Sequence, residues 1–247
     1  EEGIEKQEFQ VFYQPVVDAK TGKIVSAEAL VRWFHEQKGF ISPGQFIPAL
    51  EKGGYISELD RYMIEKVTGC LDQRRAEKKR FVPVSVNLSW MDFYDENMLE
   101  WIVRGLKKNN PNEQKIRFEI TETSLAAIGE NHTRMLMHLK ENGAEILLDD
   151  FGSGYSSFGM LHDYDFDILK MDISFVRNIG VNKKSESILR AIIDMAHQLE
   201  IRLVAEGAET EEQVAFLRAN GCDYIQGYYY YKPMPENEFL QLLDEGK

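Results

Sequence analysis

Apolar and polar positions first alternate along this chain and then fall into helical spacing, in an order that repeats. Phe9–Val17 (FQVFYQPVV) and Lys23–Val31 (KIVSAEALV) read as strands, rich in β-branched and aromatic residues. The intervening DAKTG has hairpin length and turn-forming residues, which predicts antiparallel pairing of the two. Ser42, Pro43 and Gln45 then supply an N-cap, an N1 proline and an N3 partner for a short helix that Gly53-Gly54 closes. Ser57 is the expected cap of the next helix, with Leu59, Met63, Val67, Cys70 and Leu71 on one stripe. On that stripe Cys70 is expected in the core.

From there strands and helices alternate. Strands are predicted at Phe81–Asn87, at Ile116–Thr121, in the run ending at Asp149-Asp150, at Asp167–Asp172, at Ile201–Ala205 and at Asp223–Tyr228. Between them lie a helix around Leu99, Ile102, Val103 and Leu106 that runs to Pro111, and another through Met135, Leu136 and Leu139 that stops at Gly143. The helix over Ser187–Glu200 is expected to bury Ile188, Leu189, Ile192, Ile193, Ala196 and Leu199. Thr210 with Gln213 makes a capping box, Gly221 ends that helix and Pro235 opens the last. Eight strands, with helices after all but the first, predict an α/β fold: a modified (β/α)8 barrel of TIM type with its first strand antiparallel. An open doubly wound sheet is the alternative, disfavoured because functional-looking residues end seven strands instead of one switch point.

The 247 residues fit one domain, 1–247, and the missing initiator Met points to a piece excised from a longer protein. A net charge of -12 argues against a nucleic-acid polymer as partner. Two cysteines, Cys70 and Cys222, are too few for a disulfide framework. No apolar run approaches the roughly 18–20 residues of a membrane span, so no membrane contact by this domain is expected.

The strand ends carry the chemistry. In order they give Glu28, Asn87, Glu119, Asp149 with Asp150, Lys170 with Asp172, Glu206 and Gln226. Any one of these could be a turn former, a surface acid or part of a structural ion pair. Seven strands bringing such groups to one rim call for a compensating charge, because unpaired buried carboxylates are prohibitive. Neighbouring strand residues face opposite ways, so Asp149 and Asp150 meet one target only if the strand ends and turns, with Gly152 and Gly154 giving the freedom. Oxygen ligands without His or Cys clusters suit Mg²⁺ or Mn²⁺, and an Asp pair can bridge two such ions. Lys170 and Asp172 share parity and face the mouth; Glu206 is placed to orient or deprotonate a water; Arg32 could grip a phosphate.

Here a resemblance becomes specific. Glu28-Ala29-Leu30 within EALVRW resembles the signature of the EAL family of cyclic di-GMP phosphodiesterases. YQPVV, SVNLS, FEITET, DDFGSGYSS, LKMD, VAEGAET and QGYYYYKP look like further family motifs in family order, over essentially the whole chain. The resemblance implies metal-dependent hydrolysis of cyclic di-GMP to linear 5'-pGpG. Glu28, Asn87, Glu119 and Asp149 would hold one ion, and Asp149 with Asp150 the second, as Mg²⁺ or Mn²⁺. Glu206 would be the general base, and Lys170 would position the water or stabilise phosphate charge. Gln14, Leu30, Arg32 and Gln226 would face substrate, together with Asp172. Glu122 would anchor the loop after Asp150, and Glu209 would support Glu206 from behind. The resemblance also implies a homodimer near the 151–157 loop, a cytoplasmic location and attached GGDEF or sensory domains. Ser153, the missing proline after Trp33, Lys232 and Ala208 depart from the family pattern without removing a ligand.

Two other readings stand beside this one: a catalytically silent module that senses cyclic di-GMP or docks a partner, and a glycosidase using Glu119 and Glu206 as its two acids. A cluster of carboxylates around an ion-sized space favours metals; two isolated carboxyls favour sugar chemistry. The run Tyr228–Tyr231 is expected to be strand and core material.

Overall fold

A computed structural model describes residues 2–108, 116–128, 131–154 and 157–246. After a short helix α1 (Glu2–Glu5), β1 (Phe9–Asp18) and β2 (Ile24–His35) form the antiparallel hairpin, and β3 (Gly39–Ile41) extends it beside β2. Helices α2 (Pro43–Gly53) and α3 (Ile56–Ala76) lead to β4 (Val84–Asn87), then α4 (Glu96–Lys108), β5 (Ile116–Thr121), α5 (Glu122–Ile128) and α6 (Asn131–Glu141). Next come β6 (Glu145–Phe151), α7 (Ser157–Asp163), β7 (Ile168–Met171), α8 (Ile173–Arg177) and α9 (Lys183–Gln198). The chain closes with β8 (Arg202–Glu206), α10 (Glu211–Ala219), β9 (Tyr224–Gln226), β10 (Met234–Pro235) and α11 (Glu236–Asp244).

Eight of these strands make a closed barrel. β2, β4, β5, β6, β7, β8 and β9 run parallel in that order, and β1 closes the ring antiparallel to both β2 and β9. The short β3 and β10 are additions at the hairpin edge. Parallel strands buried on both faces need continuous apolar sequence, and Ile146–Leu148, Ile168–Leu169 and Leu203–Ala205 supply it.

Several local expectations hold: Gly54 takes the left-handed conformation (φ 77°) beyond α2, and Thr210 and Gln213 close their box on α10. Others are corrected. Tyr55 is the N-cap of α3, and Ser57 lies inside the first turn with its hydroxyl turned to Asp92. Cys70 is only half-buried, and the polar Asp60 and Arg74 are among the buried residues of that helix. Ile188 and Leu199 are exposed; α9 buries only the narrower stripe of Leu189, Ile192, Ile193 and Ala196. The strand expected from Phe81 begins at Val84, and the last barrel strand stops at Gln226, so Tyr228 and Tyr229 lie exposed in the following turn. Tyr230 and Tyr231 pack against the core from outside. Pro111, Tyr155 and Ser156 fall outside the described residues.

Candidate active site

The parallel strands end at one rim and bring their polar termini together. Lys170, on β7, is 2% exposed. Its Nζ donates to Glu119 Oε2 at 2.7 Å and Glu28 Oε2 at 3.1 Å, and pairs with Glu206 Oε1 at 2.7 Å and Asp149 Oδ1 at 3.4 Å. Four strands thus converge on one ammonium. Glu28 is held further: Gln226 Nε2 donates to its Oε2 at 2.6 Å and Asn87 Nδ2 to its Oε1 at 3.4 Å. Gln226 also reaches Gln14 Oε1 at 3.3 Å, and Gln14 Nε2 donates to the Tyr231 carbonyl.

Asp149 and Asp150 reach one side by a route different from the expected turn. Strand β6 continues to Phe151, but its register against β7 shifts: Leu148 faces Leu169 and Phe151 faces Met171. The extra residue is a bulge, and Asp150 takes it up at φ 55°. Asp tolerates this left-handed conformation better than most residues. One carboxylate oxygen from each of Asp149, Asp150 and Glu206 lies within 4.8 Å of the others. Gly152 (φ 91°) turns the chain next, where a Cβ would lie 2.5 Å from the Phe175 ring. Its N–H donates to Oε2 of the buried Glu122 at 3.1 Å.

The remaining expected residues divide. Leu30 and Arg32 follow Glu28 on the same face of β2, both partly buried. The Arg32 guanidinium lies 5.6 Å over the Phe12 ring, and its Nη1 donates to the Val31 carbonyl. Phe12 escaped the sequence reading, although it shares a strand face with Gln14 two residues on. Asp172 sits at the rim and caps α8 by accepting from Ser174 N–H at 2.9 Å. Glu209 is not brought to the cluster: its side chain is exposed, and its backbone N–H goes to Gln213.

Five carboxylates against one ammonium leave the site short of positive charge. Burial pushes the Glu206 carboxyl up to about 8, against the pull of Lys170. Burial raises Asp149 and Asp150 too, helped by Glu28 on the first and Asp149 on the second, and holds Glu119 well above the carboxylate range. For Glu28 the burial penalty is outweighed by Lys170, Gln226 and Asn87, which lower it. Glu119 Oε1 is buried with no hydrogen-bond partner. An all-oxygen donor set with an orphaned buried carboxylate oxygen fits hard divalent cations. A glycosidase site of two isolated carboxyls does not describe this cluster.

A closed (β/α)8 barrel with an acidic, metal-suited rim is the class that fold and site define. The chain belongs to the EAL domain family, whose description matches residues 1–233. Its relatives include PdeG of Escherichia coli, a probable cyclic di-GMP phosphodiesterase, 33% identical over 97% of this chain and 47% of that protein. NbdA of Pseudomonas aeruginosa, a cyclic di-GMP phosphodiesterase, is 32% identical over 95% of this chain and 30% of that protein. Among solved structures, the PaMucR phosphodiesterase in complex with c-di-GMP superposes with a TM-score of 0.85 at 31% identity, covering 96% of both chains. The chain spans less than half the length of these two curated relatives. Among the described residues, no helix is long and apolar enough to cross a membrane.

Proposed function

We propose that this chain hydrolyses cyclic di-GMP to linear 5'-pGpG with two divalent cations, Mg²⁺ or Mn²⁺. The observation that carries the reading is the meeting of Asp149, Asp150 and Glu206 beside Lys170 at the barrel mouth. The names of PdeG and NbdA and the nucleotide complex of PaMucR support the substrate.

Glu28, Asn87, Glu119 and Asp149 would hold one ion, and Asp149 with Asp150 the other. When bound, such ions lower the pKa of a water and neutralise charge on the phosphate oxygens. The chain's own residues do the rest. Glu206, partly buried and within ion-pair distance of Lys170, takes the proton of the attacking water. The water oxygen bonds to phosphorus, the phosphorus bond to the ribose 3' oxygen breaks, and that oxygen takes a proton from solvent while Glu206 later returns its own to solvent. Lys170 holds Glu206, Glu119 and Glu28 in place and offsets part of their charge. Arg32 supplies a guanidinium for the second phosphate, with Gln14, Leu30, Asp172 and Gln226 lining the approach. A homodimer, a cytoplasmic location and attached sensory or GGDEF domains belong to the same reading.

The test is a timed incubation with cyclic di-GMP in Mg²⁺, Mn²⁺ and EDTA, with nucleotides resolved by chromatography. The reading expects metal-dependent pGpG. Tight binding of intact substrate in every tube would instead make the chain a receptor.

A further inference from the structure

Asn87 ends β4 with its amide on Glu28. The two residues after it are fastened from opposite sides. Leu88 N–H donates to the Glu119 carbonyl at 2.8 Å. Ser89 N–H is shared by two carboxylates, Asp92 Oδ2 at 2.9 Å and Asp60 Oδ2 at 3.2 Å. Asp92 belongs to the 3-10 turn Trp90–Tyr94 and closes a capping box with Ser89. Asp60 comes from the second turn of α3, where with Leu30, Arg32 and Asn87 it lines a cavity of about 100 Å³.

One N–H and the Ser57 hydroxyl turned to Asp92 are neutral donors and cannot offset the charge of two buried carboxylates. Asp92 is wholly buried and Asp60 nearly so, and Asp92 Oδ1 has no conventional hydrogen-bond partner. Among the charges acting on the two, Glu51 on α2 and Asp95 beyond the turn are acidic and deepen the deficit. Two bare like charges in such a place are strongly disfavoured, whereas a proton between them turns repulsion into a hydrogen bond. The side chains are in hydrogen-bonding contact, and burial raises both carboxyls, Asp60 well above the usual range.

The geometry points to Asp60 and Asp92 as a positioning pair that shares one proton and locks the Asn87–Ser89 segment, so that Asn87 meets its metal ion. The inference rests on the reading of Asn87 as a metal ligand. The pair acts through the backbone that follows that ligand, held between α3 and β5. Partners behind a metal ligand matter because they fix its orientation, and their loss weakens metal affinity.

The test titrates Mn²⁺ alone, without nucleotide, into wild type, Asp60→Asn and Asp60→Ala, reading the free ion by electron paramagnetic resonance. Asparagine keeps an acceptor for Ser89 N–H and a donor toward Asp92, so Asp60→Asn should bind Mn²⁺ nearly as wild type does. Asp60→Ala, folded by circular dichroism, should lose roughly 10–100-fold in affinity. The wild-type-minus-Asp60→Asn infrared difference spectrum near neutral pH, in which the carboxyls of the barrel rim cancel, should show a protonated-carboxyl stretch. Wild-type affinity in folded Asp60→Ala overturns the positioning role. A loss in Asp60→Asn as large as in Asp60→Ala, or a missing carboxyl band, overturns the shared proton. Where Asp60→Ala does not fold, the band and the Asp60→Asn titration decide. A wild-type chain that binds no Mn²⁺ sinks the metal reading and the pair's role toward Asn87 with it, while the band still reports the proton by itself.

Discussion

Lys170 Nζ stands 2.7 Å from Glu206 Oε1, inside a ring that also holds Glu28, Glu119 and Asp149. One buried ammonium is therefore the shared partner of four strands. Its removal leaves carboxylates that repel one another in a low-dielectric site.

Lys170→Met should accordingly destabilise the metal-free chain by about 3–5 kcal/mol, the cost of breaking a buried ion pair from one side. Thermal unfolding in EDTA measures this. Added Mn²⁺ should raise the melting temperature of the variant more than that of wild type, because the ion replaces part of the missing charge. Equal shifts in the two proteins would show that the ammonium and the ions do not serve the same carboxylates.

Glu206 gives a pH dependence with a definite direction. Its carboxyl is pushed up to about 8 in the fold, against about 4.3 in an unfolded chain. The folded state holds the proton more tightly, so across this window stability falls as pH rises. In EDTA, wild type should lose stability steadily between those values, and Glu206→Gln should show a shallower slope. Denaturant unfolding across that range is the measurement, and identical slopes would contradict the assignment.

Asp150 separates backbone strain from ligation. At φ 55° an alanine is strained, so Asp150→Ala should cost about 1–2 kcal/mol. Asp150→Asn should escape most of that cost. Both variants should bind one Mn²⁺ fewer than wild type by calorimetric stoichiometry. Unchanged stoichiometry in both would remove Asp150 from the ligand set.

These residues also mark where sequence reasoning reached and where it stopped. Glu28, Asn87, Glu119, Lys170 and Glu206 were legible because a strand's period of two and its end fix both face and height. The joint aim of Asp149 and Asp150 was legible, but its cause was not. A bulge depends on register with β7, and only the paired strand reveals that Leu148 and Phe151 bracket one residue too many. Glu209 looked equivalent to its neighbours because three residues past Glu206 the chain has left the strand, and strand parity no longer applies. Asp60 and Asp92 lie on separate elements and are brought together at Ser89 N–H, a meeting that no periodicity encodes. Ile188 and Leu199 failed differently: an apolar residue at the border of a helical stripe satisfies the pattern without being covered.

The most direct test of the central claim is turnover of cyclic di-GMP by the isolated chain with Mn²⁺ in heavy-oxygen water, compared with Glu206→Gln. The account predicts linear pGpG carrying one heavy oxygen on its 5' phosphate. The variant should be slower by about 10²–10⁴-fold, the usual worth of a general base. Linear product without the label, or a variant as fast as wild type, would contradict water attack assisted by Glu206.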